Sequence, residues 1–307
     1  MRVCVVGCGA VGSLFAANLA RLDDVEVWAY DVSEAHVDAI NARGLRLTGA
    51  GEVVGYPSAT ADPAAVPPCD FGIVATKAMH TESAIAATAH AFADGAVASV
   101  QNGVGNEETI ARHVPRVIRG TTFPAGRILE PGVVQWDVRG DTTLGPFEPQ
   151  PAELDEVVRL ADACTRAGMP TTAAEDARPA QWRKVIFNAA TNPVGALTRL
   201  THGQVCERPD LRALVSALVD EGKAVAAAQG IVLDADPEEL IEHAARPDVA
   251  YGHKASMLQD VEARRQTEID YLNGGIGRFG RELGVPTPLN DAVTALVKGL
   301  EASWQIR

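Results

Sequence analysis

Residues 1–31 read MRVCVVGCGAVGSLFAANLARLDDVEVWAYD, and the pattern of this stretch decides the fold. A valine-rich apolar run over 1–6 predicts a buried strand, and apolar periodicity over 11–22 predicts a helix directly behind it. A second apolar run, 25–30, is bounded by Asp23 and Asp24 before it and Asp31 after it. Ser33, Glu34 and Ala35 then open a second helix that runs to Arg43. Strand, helix, strand, helix in so short a span implies a parallel sheet covered by helices.

Between the first strand and the first helix lies Gly7-Cys8-Gly9-Ala10-Val11-Gly12, a GxGxxG in the context that gives this spacing meaning. Gly7 permits a tight turn, Gly9 lets a pyrophosphate approach the backbone, Gly12 allows close helix packing, and the helix N-terminus offers N–H donors to phosphate. These six residues are a candidate dinucleotide loop; the competing reading is a glycine-rich turn without a ligand. Asp31, 19 residues past Gly12, ends the second strand where an acidic side chain accepts hydrogen bonds from ribose hydroxyls. A carboxylate there repels a 2′-phosphate, and no arginine follows before Arg43, so NAD(H) is favoured over NADP(H). The alternative role for Asp31 is to cap the next helix.

Outward from this opening, strands are expected at 71–76, 96–100 and 114–121, alternating with helices at 82–92 and 107–112, which makes the first half doubly wound. Residues 123–147 are punctuated by Gly and Pro. The alternation at 133–138 is expected to close the sheet with antiparallel strands, followed by a helix over 152–167. Past Pro170 the strands are expected to stop, with helices at 181–190, 211–229, 237–245, 267–283 and 289–304. A length of 307 residues exceeds what one core usually serves. The expectation is an α/β chain with two domains, a doubly wound dinucleotide-binding domain at 1–172 and an all-α domain at 173–307.

Composition narrows the function. Apolar residues make up 47% and charged residues 22%, which excludes a disordered or fibrous chain. A formal charge of −13 argues against nucleic acid and against an anionic membrane surface. No apolar run approaches the roughly 20 residues that span a bilayer, so a cytoplasmic protein is expected. The five cysteines (Cys4, Cys8, Cys69, Cys164, Cys206) are scattered, with neither a CxxC pair nor zinc-ligand spacing, and read as free buried thiols with no metal site.

Two polar concentrations carry chemistry. Lys77 and Gln101-Asn102-Gly103 each follow an apolar strand, at the carboxyl ends where open α/β sheets place ligands. Lys184, Asn188 and Asn192 are spaced i, i+4, i+8 on a helix whose Val185, Ile186 and Phe187 mark it as buried, so the amine and amides need polar partners or a ligand. A satisfied structural network is the competing reading. The second concentration runs from His253 to Asp260 and from Arg265 to Gly274, and on its own it reads equally as a charged helix face.

Taken together, GCGAVG at the start, the Thr76-Lys77 pair, QNG, the K-x-x-x-N-x-x-x-N-P helix, SMLQD and R-x-TEID-x-LNG resemble the ketopantoate reductase family along the whole chain. The resemblance implies a Rossmann domain followed by a helical domain, an active site in the cleft between them, and reduction of 2-ketopantoate to D-pantoate. It implies that Lys184 is the catalytic lysine and Glu268 the active-site glutamate. Asn102, Asn188, Asn192 and Ser256 position substrate or lysine, and Lys77 lies near the nicotinamide. This chain departs from the family at Asp31-Val32, where a basic residue and NADPH are usual, and at His202-Gly203, where Asn-Gly is common.

The chemistry follows from elementary requirements. Hydride arriving at a 2-keto carbon leaves charge on oxygen, which a protonated lysine can stabilise and neutralise. Ser256 and Glu268 are 12 residues apart, roughly 18 Å along a continuous helix, so a break is expected between Gln259 and Gln266. The expected partner is a small 2-keto acid, with room for a homodimer. The alternatives are an NAD-linked 2-hydroxyacid or opine-type dehydrogenase and a non-catalytic NAD sensor.

Overall fold

The computed structural model describes residues 1–304. The chain divides into two compact units, one of residues 1–101 with 106–177, the other of residues 102–105 with the chain from Arg178 onward.

The first unit runs β1 (Arg2–Val6), α1 (Ala10–Leu19), β2 (Glu26–Tyr30), α2 (Glu34–Arg43), β3 (Leu45–Gly49), β4 (Val53–Gly55), β5 (Ser58–Thr60), β6 (Phe71–Val74), α3 (Thr81–Thr88), β7 (Ala96–Ser99), α4 (Asn106–Ile110), β8 (Val117–Thr122), β9 (Ala125–Glu130), β10 (Val133–Val138), β11 (Thr142–Pro146), α5 (Leu154–Arg166) and β12 (Thr171–Ala173). The main sheet has the order β12-β11-β8-β7-β6-β1-β2-β5. Its six strands from β8 to β5 are parallel, and β1, β6 and β7 are buried on both faces, as their unbroken apolar runs require. The α/β class, with a doubly wound sheet ahead of a helical unit, is as expected.

Two details differ. The antiparallel closure is made by β11 against β8, whereas residues 133–138 lie in a second sheet of order β4-β3-β10-β9 that packs on α1. The β9–β10 hairpin turns at Pro131-Gly132, where Gly132 has φ +79°, and β10 then runs parallel beside β3. A strand also follows Pro170: the Pro170 carbonyl accepts from Thr142 N–H at 2.9 Å, which starts β12 in register along β11.

The second unit contains α6 (Arg178–Thr198), α7 (His202–Cys206), α8 (Pro209–Ala228), α9 (Pro237–Ala244), α10 (Ser256–Glu262), α11 (Asn273–Leu283) and α12 (Pro288–Ser303). α6 packs against α8, α9, α10 and α12 and so forms the centre of the unit. Trp182, Val185, Ile186 and Ala189 put its apolar face into the core, and Gly222 brings α8 close, since a Cβ there would lie 2.8 Å from Ile186 Cγ1. The helix expected over 267–283 begins only at Asn273. Thr267 gives its backbone N–H and its hydroxyl to the Glu301 carboxylate, at 2.8 and 2.6 Å, so a tertiary acceptor replaces a helical one. The expected break after Gln259 is present: α10 ends at Glu262 and the following ten residues are not helical.

Among the described residues no helix is long and apolar enough to cross a membrane, and no cluster of His, Cys, Asp and Glu could hold a metal. Cys4, Cys8, Cys69 and Cys164 are buried and Cys206 is half-buried. Burial pushes the thiols of Cys8 and Cys164 up to about 12, which keeps them protonated and unreactive.

Candidate active site

In the first unit the glycine-rich loop sits at the carboxyl ends of the central strands. Gly7 N–H donates to Tyr30 at the end of β2, and Ala75 N–H donates to Val6 at the end of β1. Each glycine has its own reason. Gly7 has φ +87° and a Cβ there would lie 2.4 Å from Thr76 Cγ2; a Cβ on Gly12 would lie 2.1 Å from the Gly7 carbonyl oxygen. Gly9 differs: its backbone is extended, and a Cβ would meet nothing within 4 Å. Protein packing therefore does not demand glycine at position 9, whereas a ligand lying on the loop would. Gly9 heads α1 with no side-chain cap and with no acidic residue in the first turn, an end suited to a pyrophosphate.

Asp31 follows β2. Its Oδ1 accepts from Ser33 N–H at 2.9 Å, and Oδ2 has no protein partner among the described residues. It does not cap α2, whose N-cap is Ser33. Arg43, the first arginine after Asp31, is turned to the Pro131 carbonyl at 3.2 Å. Lys77 is partly buried three residues beyond β6, where its carbonyl accepts from His80 N–H.

In the second unit, residues 102–105 bring Asn102 to α6. Lys184 Nζ donates to Asn102 Oδ1 at 2.8 Å, and Asn102 Nδ2 donates to Glu268 Oε2 at 3.2 Å, which makes a chain of lysine, amide and carboxylate. Glu268 is buried and Lys184 partly so. Burial lowers the lysine to about 8, and the Glu268 charge opposes that fall. Asn188 and Asn192 follow on the same ridge, and their amides have no protein hydrogen bond among the described residues although Asn192 is only 6% exposed. They are not a satisfied structural network. Ser256 begins α10, which packs on α6, and its exposed hydroxyl likewise has no protein partner among the described residues.

Several contributors escaped the sequence reading. Pro193 lies inside α6 and lacks the N–H that would bond the Ala189 carbonyl one turn back. Asn273 Nδ2 donates to that carbonyl at 2.8 Å and also to Asn290 Oδ1 at 2.9 Å, while Asn290 Nδ2 donates to Glu221 at 2.7 Å. The ridge of α6 is thus braced by a buried polar cluster; its only sequence signal is the LNG at 272–274. Gln101, which the sequence placed at a strand end without a role of its own, holds the end of β7 by donating to the Thr76 carbonyl and Thr81 Oγ1, at 2.9 and 2.7 Å. His36, buried on α2, accepts from Gly132 N–H at 3.1 Å; burial keeps its pKa low, against the pull of Asp31.

This arrangement has close relatives among known proteins. The family profile described as Ketopantoate reductase PanE/ApbA matches residues 3–149, and the profile of its C-terminal part matches residues 176–301. The chain is 34% identical over 304 residues to the 2-dehydropantoate 2-reductase of Pyrococcus horikoshii, covering 98% of each. The crystal structure of a PanE/ApbA family ketopantoate reductase from Ralstonia eutropha JMP134 superposes with a TM-score of 0.88 at 33% identity, covering 99% of this chain and 100% of that one. D-mandelate dehydrogenase, in its ternary structure with NADH and anilino(oxo)acetate, gives a TM-score of 0.89 at 28% identity over the full length of both chains. With both profiles matched in order and a relative above 30% identity end to end, the chain belongs to the ketopantoate reductase family.

Proposed function

We propose that the protein reduces 2-ketopantoate to D-pantoate, with NADH preferred over NADPH and Lys184 as the proton donor. The observation that carries this reading is the Lys184–Asn102–Glu268 hydrogen-bond chain beside two amides with no protein partner among the described residues. Gly7, Gly9 and Gly12 with the N-terminus of α1 would hold the dinucleotide pyrophosphate, and Asp31 Oδ2 the ribose. When bound, the reduced nicotinamide supplies a hydride to the keto carbon. Lys184, protonated below about pH 8, stabilises the charge that develops on the carbonyl oxygen and transfers its proton there. Asn102 fixes the direction of the amine, and Glu268 sustains its charge against burial. Asn188 and Asn192 offer donors and acceptors for the carboxylate and the extra hydroxyl of a small hydroxylated keto acid.

A second reading, an NADH-linked dehydrogenase of another 2-hydroxy acid, draws on the likeness to D-mandelate dehydrogenase. A dinucleotide sensor without turnover has no use for the lysine chain. The test is kinetic. Lys184→Ala should lower kcat about 10² to 10⁴-fold while NADH affinity stays within error. Near-normal kcat would refute the assignment and leave Lys77 as the candidate donor.

A further inference from the structure

A cavity of about 430 Å³ in the second unit is lined by Arg199, Arg264, Glu262, Val261, Leu300 and Trp304. Arg199 follows α6 and Arg264 follows α10, and both have left-handed backbone, φ 61° and 50°. Each occupies a helix C-terminal position that glycine normally takes. Arg199 N–H closes on the Gly195 carbonyl. Arg264 N–H closes on Val261, and Arg265 N–H on Asp260. Local structure therefore favours glycine at both places, and two arginines stand there instead.

Neither guanidinium has an ion pair or hydrogen bond among the described residues, in a chain with 40 acidic against 27 basic side chains. Their neighbours do: Arg265 pairs with Asp260 at 3.2 Å, and Lys254 holds both Glu262 oxygens at 2.7 and 3.0 Å, which neutralises the carboxylate at the cavity wall. Two guanidinium forks that are uncommitted among the described residues suit a doubly charged oxyanion, and Val261, Leu300 and Trp304 give the cavity an apolar side. Arg199 lies 15 residues beyond Lys184, roughly 22 Å along the helix, so this is not the substrate ridge.

We propose that this cavity binds a small organic phosphate, with the phosphate between Arg199 and Arg264 and an apolar or planar part against Leu300 and Trp304. Phenyl phosphate titrated into the purified protein in a calorimeter provides the probe. Saturable binding is expected, with at least a tenfold loss in the R199G/R264G double variant. That variant should keep the wild-type melting temperature, because glycine suits both backbone positions. R199Q/R264Q, which keeps side-chain bulk without charge, should lose binding likewise. Undiminished affinity in either double variant, or no saturable binding to the wild type, overturns the proposal.

Discussion

Lys184 carries a charge that burial opposes and Glu268 favours, and the balance leaves it near 8, where a proton donor working at neutral pH is effective. The sign of the pH dependence follows. In the proposed role Lys184 must be protonated, so kcat for reduction should be level below about pH 8 and fall as pH rises through it. Glu268→Gln keeps an acceptor for Asn102 Nδ2 but removes the charge that raises the lysine. The falling limb should then move to lower pH; a limb that stays in place would remove Glu268 from the electrostatics of the site. A pH–rate profile of wild type and variant reads both.

At the scale of the element, α1 and α6 each carry a candidate site. The start of α1 separates packing from ligand binding within a single motif. Gly12→Ala forces a Cβ against the Gly7 carbonyl and should destabilise the first unit by about 1–3 kcal/mol. Gly9→Ala enters open space, so it should leave the melting temperature unchanged and weaken NADH binding. Equal melting losses for the two would contradict this division, and thermal denaturation with a cofactor titration measures it. In α6, Asn273→Ala strips the Ala189 carbonyl of its donor, at a cost of about 1–3 kcal/mol for a buried unsatisfied group. Replacing Pro193 by Ala restores the helical N–H, so the loss caused by Asn273→Ala should shrink in the Pro193→Ala background. A denaturant-based double-mutant cycle gives the coupling, and simple additivity would sink the idea.

The whole molecule shows where sequence reading succeeds and stops. GCGAVG, the valine strands and Asp31 are legible because strand, turn and helix are set by neighbours within about 30 residues. The second sheet is not: β3 and β10 pair across more than 80 residues, and the alternation at 133–138 says only that a strand forms, not which sheet it joins. Residues 267–272 have helical apolar spacing, yet Glu301 captures the Thr267 N–H from α12, a competition no local pattern reports. Lys184, Asn102 and Glu268 come together from three distant segments, so spacing alone could group Lys184 with Asn188 and Asn192 but not with its bonded partners. The bond between Asn273 and a carbonyl exposed by Pro193 is of the same long-range kind.

Substrate choice is a property of the whole molecule. The amides of Asn188 and Asn192 have no protein partner among the described residues, so in the proposed reaction a substrate without a hydroxyl to meet them leaves polar groups unpaired. The most direct measurement is kcat/KM of the purified protein with NADH for ketopantoate, for the same keto acid lacking its hydroxyl, and for phenylglyoxylate, the oxo acid of mandelate. Ketopantoate should be preferred by about 10²-fold or more, on the scale of a lost buried hydrogen bond. Equal or faster turnover of either of the other two acids would contradict the assignment as a ketopantoate reductase.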